Sequence, residues 1–226
     1  MATGSGKIRR VSLNTPVTEE ALRDLKLGDV VYLNGVVYTG REGVYKQCLE
    51  DGVPLPENLA EISNVNFHCS PAATPDGQGG YNVGALSGTA SFRFAKWLDR
   101  WFKASGAKII IGKGGMSSED YRKFFVPNRA IYLTTVGYGT GALLGRGVKG
   151  VRKVHWLEEL GLAQAMWMFE VEELGPFIVE SDLDGNSLFE RENAAITKNF
   201  EKLYEGTRPA TLRRYGETDN RSDEVI

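Results

Sequence analysis

The first part of the chain shows short apolar runs separated by polar turns. Thr18, followed by two Glu residues and spaced leucines, predicts a short capped helix. Apolar residues 30–33 and 36–39 flank Asn34 and Gly35. Because Asn and Gly tolerate positive φ angles, this pattern predicts a β-hairpin with a two-residue type I′ turn.

The spacing changes from residue 84 onward, where helical and strand-like segments alternate. Alternation of this kind implies crossover connections, so it predicts one α/β domain with a largely parallel sheet. The elements predicted over the rest of the chain are a helix at 43–51, a strand at 64–69, a Pro- and Gly-rich loop at 70–80, a helix at 94–102 capped by Gly106, a strand at 108–111, a helix at 118–125, a strand at 130–136, a short helix around 142, a strand at 151–156, two strands at 168–171 and 177–179, a turn at 182–186 and a closing helix at 190–204.

Composition is that of an ordinary globular protein. The 226 residues are 42% hydrophobic and 25% charged, enough for one large domain with terminal extensions. Lys and Arg number 27 against 29 Asp and Glu, so no basic excess favours nucleic acid as a partner. The sequence shows neither an apolar run of about 18 residues nor a secretory signal. We therefore expect no membrane association and a cytoplasmic location.

The scarcity of Cys and His limits the chemistry that this chain can perform alone. There are two Cys (Cys48, Cys69) and two His (His68, His155). This excludes a disulfide framework, and an iron–sulfur cluster needs about three or four thiolates. We expect no metal ligands on this chain. Glycine is abundant instead, at 27 residues, and marks three loops.

Each of these loops carries polar residues that could meet a ligand. Arg41 follows the second predicted strand, Thr89 and Arg93 stand four residues apart before the Trp-rich helix, and Lys113 lies between glycines after a buried strand. The i, i+4 spacing puts Thr89 and Arg93 on one side of a first helical turn. Guanidinium and ammonium groups near a helix start suit an anion. Solvated surface positions for Arg41 and Lys113, and a helix cap at Thr89, are the structural alternatives.

Residues 137–142 form a competing motif. They read Gly-Tyr-Gly-Thr-Gly-Ala, fit GxGxxA after a predicted strand, and precede Glu158 and Glu159 by about 20 residues. A stand-alone carboxylate- or dinucleotide-binding α/β module is therefore the alternative function. Such a short pattern arises readily by chance in a glycine-rich chain.

Several ordered motifs resemble one known family, the β subunits or C-terminal domains of class I iron–sulfur fumarases and L(+)-tartrate dehydratases. The resemblance covers about residues 14–205. It rests on six stretches in order, which are Thr39-Gly40-Arg41, Gly88-Thr89 through Arg93, Ile111-Gly112-Lys113-Gly114-Gly115-Met116, Val154-His155-Trp156, Leu174-Gly175-Pro176 and Asp184-Gly185-Asn186.

The resemblance implies that residues 14–205 form a swivelling β/β/α domain with a mixed, partly parallel sheet. From their composition we expect residues 1–13 to be a flexible extension and residues 206–226, which are polar with balanced charge, a flexible tail. It implies reversible dehydration of a 2-hydroxy dicarboxylate, L-tartrate to oxaloacetate or malate to fumarate. It further implies an αβ or α2β2 assembly, in which a partner α subunit carries a 4Fe–4S cluster with one open iron that acts as Lewis acid on the substrate hydroxyl.

Residue roles also follow from the resemblance. Arg41, Arg93 and Lys113 would bind substrate carboxylates, and Thr89 would act as the base or as part of its relay. The sequence departs from the family pattern at Tyr45, where a His is usual. It also departs where Glu42 replaces Asp, Ala90 replaces a second Thr and Phe94 replaces Met. Since the cationic residues all remain, we expect an active dehydratase with a shifted substrate.

Overall fold

The structure is a computed structural model that describes residues 8–137 and 139–206. Residues 1–7 of the expected N-terminal extension and residues 207–226 of the expected tail lie outside the described residues. The first strand, β1 (Arg10–Asn14), falls within the predicted extension except for its last residue. Among the described residues, 191–206 belong to a second compact unit.

Most of the strands form one mixed sheet. The strands of the described residues after β1 are β2 (Val30–Thr39), β3 (Val65–Phe67), β4 (Cys69–Pro75), β5 (Tyr81–Gly88), β6 (Ile109–Gly112), β7 (Ile131–Thr135), β8 (Val148–His155) and β9 (Met166–Ser181). Seven of them follow the order β1-β2-β3-β6-β7-β9-β8. The neighbours from β1 to β7 are parallel, and β9 runs antiparallel to β2, β7 and β8. The predicted mixed, partly parallel sheet is confirmed.

The pairing of β2 with β9 closes β2, β3, β6, β7 and β9 into a hydrogen-bonded ring. Residues on the two faces of these strands enter different apolar clusters. On β6, Ile109 and Ile111 belong to one cluster and Ile110 to the other. The strand alternation therefore buries both faces, as near-continuous apolar strands require.

The predicted hairpin at residues 30–39 is wrong. β2 runs unbroken through Asn34 and Gly35, because β9 pairs with both of its halves. Gly35 has a φ of 103° and lies at a register shift, so the Asn-Gly pair makes a bulge rather than a turn. Thr15 fills the space beside Gly35, where a Cβ would lie 2.6 Å from the Thr15 hydroxyl.

The predicted loop at residues 70–80 is also largely wrong. β4 pairs antiparallel with β5 in a separate two-stranded sheet, and only the segment around Asp76 turns. There the Asp76 carboxylate accepts from the main-chain N–H groups of Gln78 and Gly80. Pro71 and Pro75 are compatible with this strand because a two-stranded sheet leaves free edges.

Helices alternate with the strands along the chain. They are α1 (Glu19–Arg23), α2 (Glu42–Leu49), α3 (Leu59–Ile62), α4 (Ala95–Ser105), α5 (Ser118–Asp120, continued by a π-helical turn at Tyr121–Phe125), α6 (Gly141–Arg146), α7 (Leu157–Leu160) and α8 (Leu188–Tyr204). The predicted helical periodicity is confirmed for α4, which buries Trp97, Leu98, Trp101 and Phe102. Gly106 ends it in the left-handed conformation at φ 67°. None of the helices in the described residues has the length and apolar character needed to cross a membrane.

Candidate active site

Arg41 stands at the start of α2, directly after β2 ends at Thr39. Its Nη1 atom donates to the hydroxyl of Ser70 and to the carbonyl of Ala163, the latter at 2.9 Å. The Nε atom is buried and has no hydrogen-bond partner within the described residues. Burial lowers the pKa of the Arg41 guanidinium, and the positive charge of Arg93 acts in the same direction. The side chain is thus a partly desolvated cation with an unused donor, which suits an anionic ligand.

Thr89 and Arg93 are in direct contact, as their spacing predicts. The Nη2 atom of Arg93 donates to the Thr89 hydroxyl at 2.5 Å. The local geometry differs from a first helical turn, because a 3₁₀ turn at Phe92–Phe94 precedes the start of α4 at Ala95. A guanidinium that donates to a hydroxyl oxygen stabilises its anionic form, so Arg93 makes the Thr89 hydroxyl more acidic.

Main-chain hydrogen bonds hold Thr89 between two neighbouring segments. The Thr89 N–H donates to the carbonyl of His68 at 2.7 Å, and the N–H of Lys113 donates to the Thr89 carbonyl at 2.9 Å. The main-chain N–H of His68 in turn donates to the carbonyl of Ile111 at 2.8 Å. The three segments therefore meet just beyond the ends of β3 and β6, which places Thr89 beside Lys113.

Lys113 lines an open cavity of about 490 Å³. The wall includes Thr134 and Thr135 at the end of β7 and two aromatic rings, Phe92 and Phe189. Arg41, Thr89 and Arg93 are not among the residues that line this cavity. Burial and the positive charge of Arg93 both lower the pKa of the Arg41 guanidinium, so the two cations interact. Of the four predicted site residues, Thr89 contacts Arg93 and the main chain of Lys113. Arg41 is linked to them through its electrostatic interaction with Arg93.

A buried carboxylate supports the loop that carries Lys113. Glu180 is fully buried and accepts hydrogen bonds from the hydroxyls of Tyr121 and Ser187, the latter at 2.5 Å. Tyr121 also accepts from the main-chain N–H of Met116 at 2.8 Å. Burial raises the pKa of Glu180. The Gly-Lys-Gly-Gly-Met loop is therefore tied at its far end to the sheet through two side chains.

Sequence reasoning missed a second buried polar group next to Thr89. The Tyr45 hydroxyl lies 2.6 Å from Nε2 of His68, and Nδ1 of the same ring lies 2.7 Å from the Ser91 hydroxyl. Tyr132 donates to Ser91 at 2.8 Å, and the Asn66 amide donates to Tyr45 at 2.6 Å. All five residues are fully buried. The signal available in the sequence was polar Asn66 and His68 at alternate positions of an apolar strand.

The dinucleotide motif does not have the structural context it needs. Gly137 and Gly139 have positive φ angles, and Tyr138 lies outside the described residues. The helix that follows, α6, has only six residues and leads to β8, which is antiparallel to β9. Since the fingerprint requires a parallel βαβ unit, this alternative function is not favoured.

The described residues offer no site for a metal cluster. They contain no group of three or more His, Cys, Asp or Glu side chains that could hold a metal ion. Cys69 is buried and Cys48 partly so. Burial raises the pKa of the Cys48 thiol to about 11, and burial raises that of Cys69 as well, so both are poor thiolate donors.

The comparisons with known proteins agree with this geometry. The model of the family described as Fumarase C-terminus matches residues 1–192, and the chain belongs to that family. It is 35% identical over 192 residues to a protein of Methanocaldococcus jannaschii provisionally named L(+)-tartrate dehydratase subunit beta, covering 84% of this chain and 94% of that one. It is 29% identical over 196 residues to L(+)-tartrate dehydratase subunit beta of Escherichia coli K12, covering 85% and 93%.

A further relative shows the same domain within a longer chain. A protein of Geobacillus stearothermophilus, provisionally named fumarate hydratase class I, is 32% identical over 190 residues. The match covers 84% of this chain and only 35% of the relative. The domain therefore occurs both as a separate subunit and as part of a larger polypeptide.

Proposed function

We propose that this chain is the β subunit of a two-subunit hydro-lyase that reversibly dehydrates a 2-hydroxy dicarboxylate of the tartrate or malate type. The observation that carries the proposal is the contact of Arg93 with Thr89 beside Lys113, in a member of the Fumarase C-terminus family. The names of the relatives support the same reaction class.

The cationic residues supply what a dicarboxylate requires. A dianion needs several positively charged donors, and we assign its carboxylates to Arg41, Arg93 and Lys113. When a proton leaves the carbon next to a carboxylate, negative charge builds up on that carboxylate. Cations fixed in advance stabilise this charge and lower the barrier.

Thr89 is the proposed proton acceptor or relay at that carbon. A threonine hydroxyl is by itself a weak base, so it needs a neighbour that stabilises its anionic form. The Arg93 N–H at 2.5 Å is such a neighbour. During dehydration the anionic form of the Thr89 oxygen would take the C–H proton, the electron pair of that bond would form the carbon–carbon double bond, and hydroxide would leave the adjacent carbon. Return of the proton from Thr89 to the hydroxide would then release water and restore the anionic form.

We assign the iron–sulfur cluster that is general in this family to a partner α subunit, because the described residues of this chain offer no ligand group for it. The β-subunit names of the relatives support such a partner, in an αβ or α2β2 assembly. We place this complex in the cytoplasm. This chain would then contribute carboxylate binding and proton transfer to a shared site.

The test is co-expression of the full chain with an α chain of the same family, followed by an anaerobic activity screen over 2-hydroxy dicarboxylates. We expect a stable complex that dehydrates one or a few of these acids, while the β chain alone has no activity. A chain that stays monomeric with every α chain supplied, or a complex without turnover of any such acid, would refute the proposal.

A further inference from the structure

The buried polar group beside Thr89 forms one continuous chain of hydrogen bonds. It runs from Asn66 through Tyr45 and His68 to Ser91, and Tyr132 joins at Ser91. None of its members reaches the surface. Buried polar groups are costly unless they are satisfied, so these hydrogen bonds favour one arrangement of the segments that carry them. The Oδ1 atom of Asn66 is buried and has no partner among the described residues.

The donors of this chain determine the tautomer of His68. The Asn66 amide donates to the Tyr45 oxygen, so the single Tyr45 proton is directed to Nε2 of His68. Nε2 is then the acceptor and Nδ1 carries the proton toward Ser91. Burial, reinforced by Arg41, lowers the pKa of His68 to about 3, so the ring is neutral in the folded protein.

His68 holds the Thr89 loop at two points. Its main-chain carbonyl accepts from the N–H of Thr89 at 2.7 Å, and its ring binds the hydroxyl of Ser91 two residues further on. Ser91 and Arg93 are separated in the sequence by a single residue. His68, just after β3, therefore helps to fix the loop that aligns Thr89 and Arg93, together with the main-chain hydrogen bond from Lys113 to Thr89.

Gly112 leaves the space that this arrangement needs. A Cβ at this position would lie 2.0 Å from the Ser91 hydroxyl and 2.4 Å from that of Tyr132. Gly112 therefore makes room for the hydroxyls of Ser91 and Tyr132, which lie at the end of the hydrogen-bond chain. This links the Lys113 loop to the same buried group as the Thr89 loop.

We propose that His68 is a positioning residue for the dehydration, which acts through Ser91 to set the geometry of Thr89 and Arg93. Tyr45, at the position of the family's usual His, holds the opposite side of the imidazole. This inference rests on the proposed hydro-lyase function. It predicts that the hydrogen bond to Ser91 matters for turnover more than the volume of the His68 side chain.

Two substitutions of His68 separate these effects in the complex with the α subunit. An Asn side chain can place its amide nitrogen where Nδ1 lies and keep the bond to Ser91, whereas a Gln side chain reaches the Nε2 position and loses it. Because small displacements of reacting groups cost up to about 100-fold in rate, we expect His68→Gln and Ser91→Ala to lower kcat by about 100-fold. We expect His68→Asn to lose about tenfold or less. KM should change less than kcat in all three.

Ser105→Ala is the matched control for Ser91→Ala. Ser105 is equally buried, and its hydroxyl donates to the Trp101 carbonyl at 2.7 Å, within α4 and outside the proposed site. Its loss has a comparable cost for folding, so the thermal midpoints of the two variants should be similar while only Ser91→Ala loses kcat.

Nitrogen-15 NMR of the full chain provides a readout that does not depend on activity. The chain has only two histidines, so His155→Gln assigns the remaining imidazole signals to His68. We expect a neutral ring with the proton on Nδ1 across neutral pH. A ring protonated on Nε2, or one that titrates near pH 6.5, would contradict the hydrogen-bond chain.

The outcomes distinguish this inference from the proposed function. A wild-type complex with turnover, in which His68→Gln and Ser91→Ala both keep full kcat, would overturn the positioning role and leave the hydro-lyase function intact. Equal losses in His68→Asn and His68→Gln would also overturn it, since they would indicate packing alone. A wild-type complex without turnover would overturn both.

Discussion

The Nη2 atom of Arg93 lies 2.5 Å from the Oγ1 atom of Thr89, at the entrance to α4. The same guanidinium has further N–H groups that remain available for a substrate carboxylate. In the proposed site Arg93 would therefore bind the substrate and also make the Thr89 hydroxyl more acidic. This double role makes it the most informative residue for mutation.

Arg93→Ala is expected to lower kcat/KM by about 100- to 1,000-fold, because it removes a preorganised cation from the developing negative charge. Steady-state kinetics of the reconstituted complex measures this loss. Lys103→Ala is the control, since Lys103 is an exposed cation of α4 that pairs only with Asp99 in the hydrogen bonds found for it. Equal activity in the two variants would remove Arg93 from the site.

Arg41→Lys tests geometry at constant charge. Lys cannot reproduce the planar fork with which Arg41 contacts Ser70 and Ala163 while it presents other N–H groups to a ligand. We expect KM for the dicarboxylate to rise about tenfold or more with a smaller change in kcat. An unchanged KM would show that Arg41 serves only the fold.

Gly112→Ala is expected to destabilise the chain, because its Cβ would meet the buried hydroxyls of Ser91 and Tyr132. Overpacking of this kind costs about 1–3 kcal/mol, which lowers the thermal midpoint by several degrees. Gly84→Ala is the control, since the nearest atom to its Cβ would be the Ala72 carbonyl oxygen at 3.9 Å. Thermal unfolding of both variants should show a loss only for Gly112→Ala.

Acid should weaken the fold through His68. The unfolded chain binds a proton on this ring below about pH 6.5, whereas burial keeps the folded ring neutral down to about pH 3. The unfolded state then binds more protons, so stability falls as pH decreases through this window, by up to about 1.4 kcal/mol per pH unit. His68→Asn should flatten the dependence of the unfolding free energy on pH between 6.5 and 3. A slope as steep as that of the Ser105→Ala chain would contradict the prediction.

A second effect of acid comes from Asp29, which is buried and accepts from Arg9 and from the Lys26 N–H. Burial alone would raise its pKa, but these hydrogen bonds lower it below the usual value. The stabilisation is therefore complete above about pH 4 and is lost as pH falls through the lowered pKa. At neutral pH we expect Asp29→Asn to cost about 1–3 kcal/mol in denaturant unfolding.

Asp24→Asn is the control for Asp29. Asp24 also accepts from Arg9, at 3.0 Å, but its side chain is 76% exposed. An exposed ion pair contributes about 1 kcal/mol at most, so this variant should be nearly neutral. If the two substitutions cost the same, burial is not what makes the Asp29 contact stabilising.

Local signals predicted the elements that local chemistry controls. Gly106 ends α4 in the left-handed conformation, and Thr18 caps α1 by accepting from the Ala21 N–H. The hairpin prediction at Asn34-Gly35 was wrong because a bulge and a turn can both require a positive φ at glycine, and only the partner strand decides between them. That partner, β9, comes more than 130 residues later in the chain.

The candidate site likewise has one part that local spacing predicts and one part that depends on distant residues. The Thr89–Arg93 contact depends on a spacing of four residues and was predicted, although the roles of both residues remain predictions. The chain through Tyr45, His68 and Ser91 was not predicted, because its members lie 23 residues apart at each step and meet only in the folded protein. A polar residue in an apolar strand indicates a partner but does not say which one.

Main-chain hydrogen bonds make Thr89 part of the central sheet rather than of a surface loop. Its amide hydrogen and that of Lys113 should exchange with solvent only when the ends of β3 and β6 open, so both belong to the same cooperative folding unit. The threonine is then in place before any substrate arrives, and substrate binding need not reorder this segment.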